Sequence, residues 1–122
     1  MEVLNLLMDE RMPRVKLAAM VGAWAKLDVP DEYQKNVAEA GMSREQFLNL
    51  FPPQGFDFAH MKAKADRIAF LHGENDPYCP LEQARYLAKR LGAPVTVVSN
   101  GHHLGSRFSE LPELWQLIQP SL

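Results

Sequence analysis

Apolar residues recur along this chain with two different periods, and the changes between them lay out its elements. Val3, Leu4, Leu7 and Met8 share one stripe, which predicts a helix over residues 2–11 that ends before Pro13. No capping residue precedes that helix. Val15–Gly22 is a continuous apolar run closed by glycine, and Arg67–Gly73 and Pro94–Ser99 have the same character. Continuous rather than alternating apolarity predicts strands buried on both faces, as in a parallel sheet. Between the last two runs, Ala84, Leu87, Ala88 and Leu91 recur at i, i+3, i+4 and i+7, and Gly92 stands where a left-handed cap belongs. Leu81–Leu91 therefore reads as the helix of a strand–helix–strand unit. A final helix is expected with Ser109 as cap, Pro112 in its first turn, and Leu111, Leu114, Trp115 and Ile118 on its buried face.

The stretch 28–66 breaks this rhythm. It holds a helix start at Ser43, with Gln46 spaced for a capping box, and Pro30, Pro52, Pro53 and Gly55 around it. A short helix capped by Asp57 should follow and run to Lys64. So long an insertion between consecutive strands is more than a connection, and is expected to act as a cap-like helical cover. The whole chain, residues 1–122, reads as one α/β domain with about three parallel strands and flanking helices.

Composition narrows the function. The 122 residues include 13 basic and 15 acidic side chains, which leaves no electrostatic footprint for nucleic acid. The longest apolar run, Leu17–Ala25, is well short of the roughly 20 residues that span a membrane. The N-terminus carries Glu2, Asp9 and Glu10 where a signal peptide would be basic. A lone cysteine, Cys79, forbids an internal disulfide. His60, His72, His102 and His103 lack metal-ligand spacing, and no glycine-rich phosphate loop occurs, so neither a metal nor a cofactor is expected. A soluble cytoplasmic protein fits these features best.

Two loops carry candidate chemistry. Gly73-Glu74-Asn75-Asp76-Pro77-Tyr78-Cys79-Pro80 follows the second strand, and Asn100-Gly101-His102-His103-Leu104-Gly105 follows the third. Catalytic groups of open α/β sheets gather at the carboxyl ends of strands. An Asp and a His on adjacent strand ends can form an oriented general base, in which the carboxylate selects the imidazole tautomer. Singly, Asp76 before Pro77 is an ordinary turn former and each histidine an ordinary loop residue. Their placement around one crossover is what raises the pair. Trp24, Phe47, Leu50 and Phe51 suit either core packing or the wall of an acyl or alcohol pocket.

At these residues a family resemblance emerges. Asp76-Pro77-Tyr78-Cys79-Pro80, Gly101-His102-His103-Leu104 and Phe108-Ser109-Glu110-Leu111-Pro112-Glu113-Leu114 occur in order at compatible spacing. Together they resemble the last third of the α/β-hydrolase fold, nearest to small serine hydrolases of the YdeN and retinoblastoma-binding type. The resemblance implies a partial α/β-hydrolase sandwich, with Asp76 as triad acid and His102 or His103 as base. His102 follows Gly101 as in the common G-H order, whereas His103 matches a G-x-H-L variant and is slightly favoured. The resemblance also implies a small acyl or ester substrate.

The third member of such a triad sits in a G-x-S-x-G elbow that precedes the acid in the chain. This sequence has no such pentapeptide: its serines are Ser43, Ser99, Ser106, Ser109 and Ser121. Cys79 reads as a small buried hydrophobe rather than a nucleophile. The expectation is therefore the second half of a hydrolase, beginning after the nucleophile and inactive alone. Its first strand would keep an open apolar edge, to be met by a second copy or by a complementing N-terminal half. The alternative is a non-catalytic protein that uses that edge for assembly.

Overall fold

The computed structural model describes residues 2–25, 29–105 and 110–122. Asp28, Ser106, Phe108 and Ser109, which entered the expectations above, lie outside those residues. In chain order the elements are α1 (Glu2–Met8), β1 (Val15–Val21), α2 (Asp31–Glu39), α3 (Arg44–Leu48), α4 (Phe58–Ala63), β2 (Ala65–Gly73), α5 (Leu81–Leu91), β3 (Val95–Val98) and α6 (Pro112–Ile118), with a closing 3-10 turn over Gln119–Ser121. The strands form one parallel sheet in the order β1-β2-β3. Val15 pairs with Ala65 and Val21 with Leu71, while Phe70 pairs with Val95 and Gly73 with Val98.

One face of the sheet carries the main core. Ala18 and Met20 of β1 and Phe70 of β2 meet Leu4 and Leu7 of α1, Met61 of α4, and Ala84, Leu87, Ala88 and Leu91 of α5. The α5 stripe is buried as its spacing predicts, and Gly92 ends the helix in the left-handed region at φ 63°. Ser43 and Gln46 complete a capping box on α3, and Asp57 accepts the backbone N–H of His60 at the start of α4. Within the insertion α2 is additional: its Asp31 and Glu32 lie in a first turn led by Pro30, where acidic side chains favour the helix dipole.

The opposite face is thinly covered, which corrects two expectations. Successive side chains alternate faces, so Leu17, Ala19 and Val21 of β1 and Ala69 and Leu71 of β2 look away from the main core. Only β2 is buried on both sides there; Leu17 and Ala19 are half-buried and Val21 is 38% exposed. β1 and β3 are edge strands, so their continuous apolarity does not report two-sided burial. The helix over this face, α6, has no buried residue, and Trp115, expected on its inner stripe, is 56% exposed. Leu111, Leu114 and Ile118 are half-buried, and Arg67 ties β2 to the chain end by donating to the Ser121 hydroxyl at 2.6 Å. The α1 stripe is also narrower than expected: Leu4 and Leu7 are buried, whereas Val3 is exposed.

Candidate active site

The carboxyl ends of all three strands converge on one pair of side chains. Asp76 follows β2 by three residues and its side chain is only 1% exposed. Its Oδ1 accepts the backbone N–H groups of Tyr78 at 2.8 Å and Cys79 at 3.0 Å, so the D-P-Y-C turn wraps its own carboxylate. Its Oδ2 lies 2.9 Å from Nδ1 of His103. A carboxylate only accepts, so Nδ1 carries the proton and Nε2 becomes the basic nitrogen. From the end of β1, a Cβ built on Gly22 would stand 3.9 Å from His103 Cε1 and 4.0 Å from Asp76 Oδ2.

The imidazole side is held differently. Tyr78 sets its ring edge-on to His103, with centroids 5.1 Å apart and an interplanar angle of 86°. His103 remains half-open, its side chain 42% exposed. His102 does not reach Asp76. It occupies the left-handed region at φ 48° and uses its backbone N–H to donate to the Glu74 carbonyl at 2.8 Å. Of the two histidines left open by the sequence, His103 is the one the fold brings to the carboxylate.

Backbone proximity explains that outcome. A Cβ on Gly73 would lie 1.9 Å from the His102 carbonyl oxygen, and one on Gly101 would lie 2.7 Å from Gly73 Cα. Both distances are closer than a Cβ can approach, so the β2 and β3 exits touch only because both positions are glycine. Periodicity does not reveal such a contact. Gly73 at the end of β2 and Gly101 just before the histidines were the signal available in the sequence. Asn36 of α2 was also missed: its side-chain amide donates to the Pro77 carbonyl at 2.7 Å, fastening the insertion to the acid turn. On the same helix, burial first, then the charges of Glu32, Glu82 and Asp76, raise the Tyr33 phenol above its ordinary value.

The remaining candidates do not join the pair. Cys79 is fully buried, and its thiol donates to the Ala23 carbonyl at 3.2 Å. Burial, reinforced by the Asp76 charge, pushes that thiol far above its ordinary value, against any thiolate. Trp24, Phe47 and Phe51 stack edge-to-face beside it, with Leu50 packed against them, so these residues form a second small core. Phe51 also borders a cavity of about 220 Å³ with Phe56, Phe58 and Tyr86. His72 is fully buried at the end of β2 and donates Nε2–H to the Cys79 carbonyl at 2.9 Å, bracing the acid turn from below. Ser43 caps α3, Ser99 is exposed in the turn after β3, and the Ser121 hydroxyl is taken by Arg67.

This arrangement of strands, crossover and loops has counterparts among known proteins. The crystal structure of the ydeN gene product from B. subtilis superimposes with a TM-score of 0.64 at 20% sequence identity, over 84% of this chain and 49% of that one. This chain thus spans about half the length of that structural relative, and at that identity the likeness is one of fold. No curated protein sequence matches it. No helix among the described residues is long and apolar enough to cross a membrane. The family model described as serine hydrolase matches residues 11–120, nearly the full length, and the chain belongs to that family.

Proposed function

We propose that this chain supplies the acid and base of an esterase-like serine hydrolase, whose nucleophile comes from outside residues 1–122. The hydrogen bond from His103 Nδ1 to Asp76 Oδ2, 2.9 Å long, carries this reading. In the reaction, His103 Nε2 takes the hydroxyl proton of the incoming serine as its oxygen bonds to the ester carbonyl carbon. The carbonyl π pair moves onto oxygen and then re-forms the double bond, expelling the alcohol oxygen, which leaves with the proton returned by Nε2. Water, deprotonated by the same nitrogen, then adds to the acyl carbon and expels the serine oxygen, which takes that proton back as the carboxylic acid leaves. Asp76 stays ionised throughout, holds the tautomer and stabilises the transient imidazolium.

The nucleophile would arrive beside β1. That strand lies at the sheet edge, and its Gly22 end abuts the acid–base pair. A strand leading into a G-x-S-x-G elbow and pairing with β1 would bring a serine to that side. The test is incubation of the purified chain with a p-nitrophenyl ester and a fluorophosphonate probe, alone and with a strand–elbow–helix polypeptide from a serine hydrolase. The chain alone should be silent, and the mixture should label and turn over in a manner that requires His103. Labelling of the chain alone would overturn the division of the triad.

A second reading is favoured by the bare face of β1, where Val21 is 38% exposed beside half-buried Leu17 and Ala19. Here the chain is a non-catalytic assembly protein that pairs β1 with β1 of another copy. Sedimentation separates the two: a stable monomer at high concentration sinks the self-assembly reading.

A further inference from the structure

We propose that Glu74 is the positioning residue for the base: a clamp that sets the histidine loop so that His103 meets Asp76. This rests on the acid–base reading of that pair. Glu74 is the first residue past β2, and it holds the following loop of β3 with every polar group it has. Its N–H donates to the Val98 carbonyl at 2.9 Å, its carbonyl accepts the His102 N–H at 2.8 Å, and its carboxylate accepts the Asn100 N–H at 2.9 Å. The three bonds fall on residues 98, 100 and 102, the whole run from the end of β3 to the residue before His103.

That run needs holding. Asn100 and His102 both have positive φ, at 53° and 48°, and Asn75, next to Glu74, has φ 56°. Non-glycine residues there sit in a sparsely populated region and persist when their surroundings over-determine them. The glycine contact between Gly73 and Gly101 brings the two backbones together but supplies no direction. The Glu74 hydrogen bonds supply it, because three bonds from one residue fix a loop's rotation as well as its distance. The carboxylate bond is the one a side-chain substitution can remove, and a hydrogen bond to a charged acceptor is among the stronger kinds. Glu74 itself is exposed and touches neither reacting group.

The readout is the Nδ1–H proton of His103 in the NMR spectrum of the 122-residue chain, protected while Asp76 accepts it. Glu74→Ala should speed its exchange with solvent about tenfold, the weight of one charge-assisted hydrogen bond. Glu74→Asp, which keeps the charge but shortens the reach, should do the same. Glu74→Gln keeps an acceptor oxygen at full reach and should restore protection. That rescue separates a positioning role from a loss of stability, which the amide spectrum of α5 reports independently. Protection unchanged in both Glu74→Ala and Glu74→Asp would overturn the clamp alone. Absence of the protected proton from the unaltered chain would overturn the acid–base pair, and the clamp with it.

Discussion

Asp76 is the most constrained side chain of the site, and its substitutions should differ in kind. Asp76→Ala leaves the Tyr78 and Cys79 N–H groups without their acceptor, and should cost about 1–3 kcal/mol by chemical denaturation. Asp76→Asn can still accept those N–H groups but no longer enforces the tautomer. In the complemented enzyme it should lower kcat by about 10⁴, with little change in stability. Gly73→Ala drives a methyl into the His102 carbonyl and should destabilise by about 3 kcal/mol or more, measured by the same unfolding curves. Cys79 should resist alkylation at pH 8 in the folded chain and react once urea unfolds it. The folded thiol titrates above its ordinary 9.0, so folding favours the protonated form. Stability is therefore retained below pH 9 and declines above it, which unfolding midpoints on the two sides of that pH would show. At this scale the sequence was partly legible. Asp76 stood out because acid, proline and strand end coincide, and the G-x-H-L pattern leaned to His103, but the left-handed turn at His102 is announced by no residue type. Glu74 and Asn36 act through backbone groups of distant loops, and those partners are invisible to spacing.

Helix α5 and helix α6 show how far a periodic pattern can be trusted. Both have apolar residues at helical spacing, yet only α5 packs against both the sheet and another helix, α4, and buries its stripe. Leu87→Ala should cost about 3 kcal/mol, whereas Trp115→Ala should stay within about 0.5 kcal/mol, since most of the indole already meets water. Thermal unfolding of the two variants makes the comparison. The strands repeat the lesson: their positions and parallel order followed from apolar runs and one crossover helix. Their burial did not, because it depends on neighbours that the sheet lacks on either side. The insertion was legible at Ser43 and Asp57, where capping chemistry is local, and not at α2, whose leading Pro30 offers no side-chain cap.

For the molecule as a whole, the asymmetry between the two sheet faces is the feature with consequences for partners. The serine hydrolase match runs over residues 11–120, and the structural relative covers 84% of this chain, so both take in β1 as well as the β2–α5–β3 unit. Leu17, Ala19 and Val21 of β1 share the thinly covered face, and Val21 is the exposed one. Val21→Lys places a charge there, a device that natural edge strands use against unwanted pairing. On the self-assembly reading it should abolish association in sedimentation, and on the hydrolase reading it should weaken capture of a nucleophile-bearing segment, without altering the far-ultraviolet spectrum.

Acid and base stand only 27 residues apart, joined by helix α5 and the short strand β3. Short separations close quickly and cost little chain entropy. On the proposed division of the triad, the acid–base pair would thus be assembled by the chain that carries it before a nucleophile arrives. A partner arriving at β1 would meet a finished surface, so the rate of complementation should rise linearly with its concentration and show no slow folding phase. Timing, rather than affinity, would then set which nucleophile the pair serves.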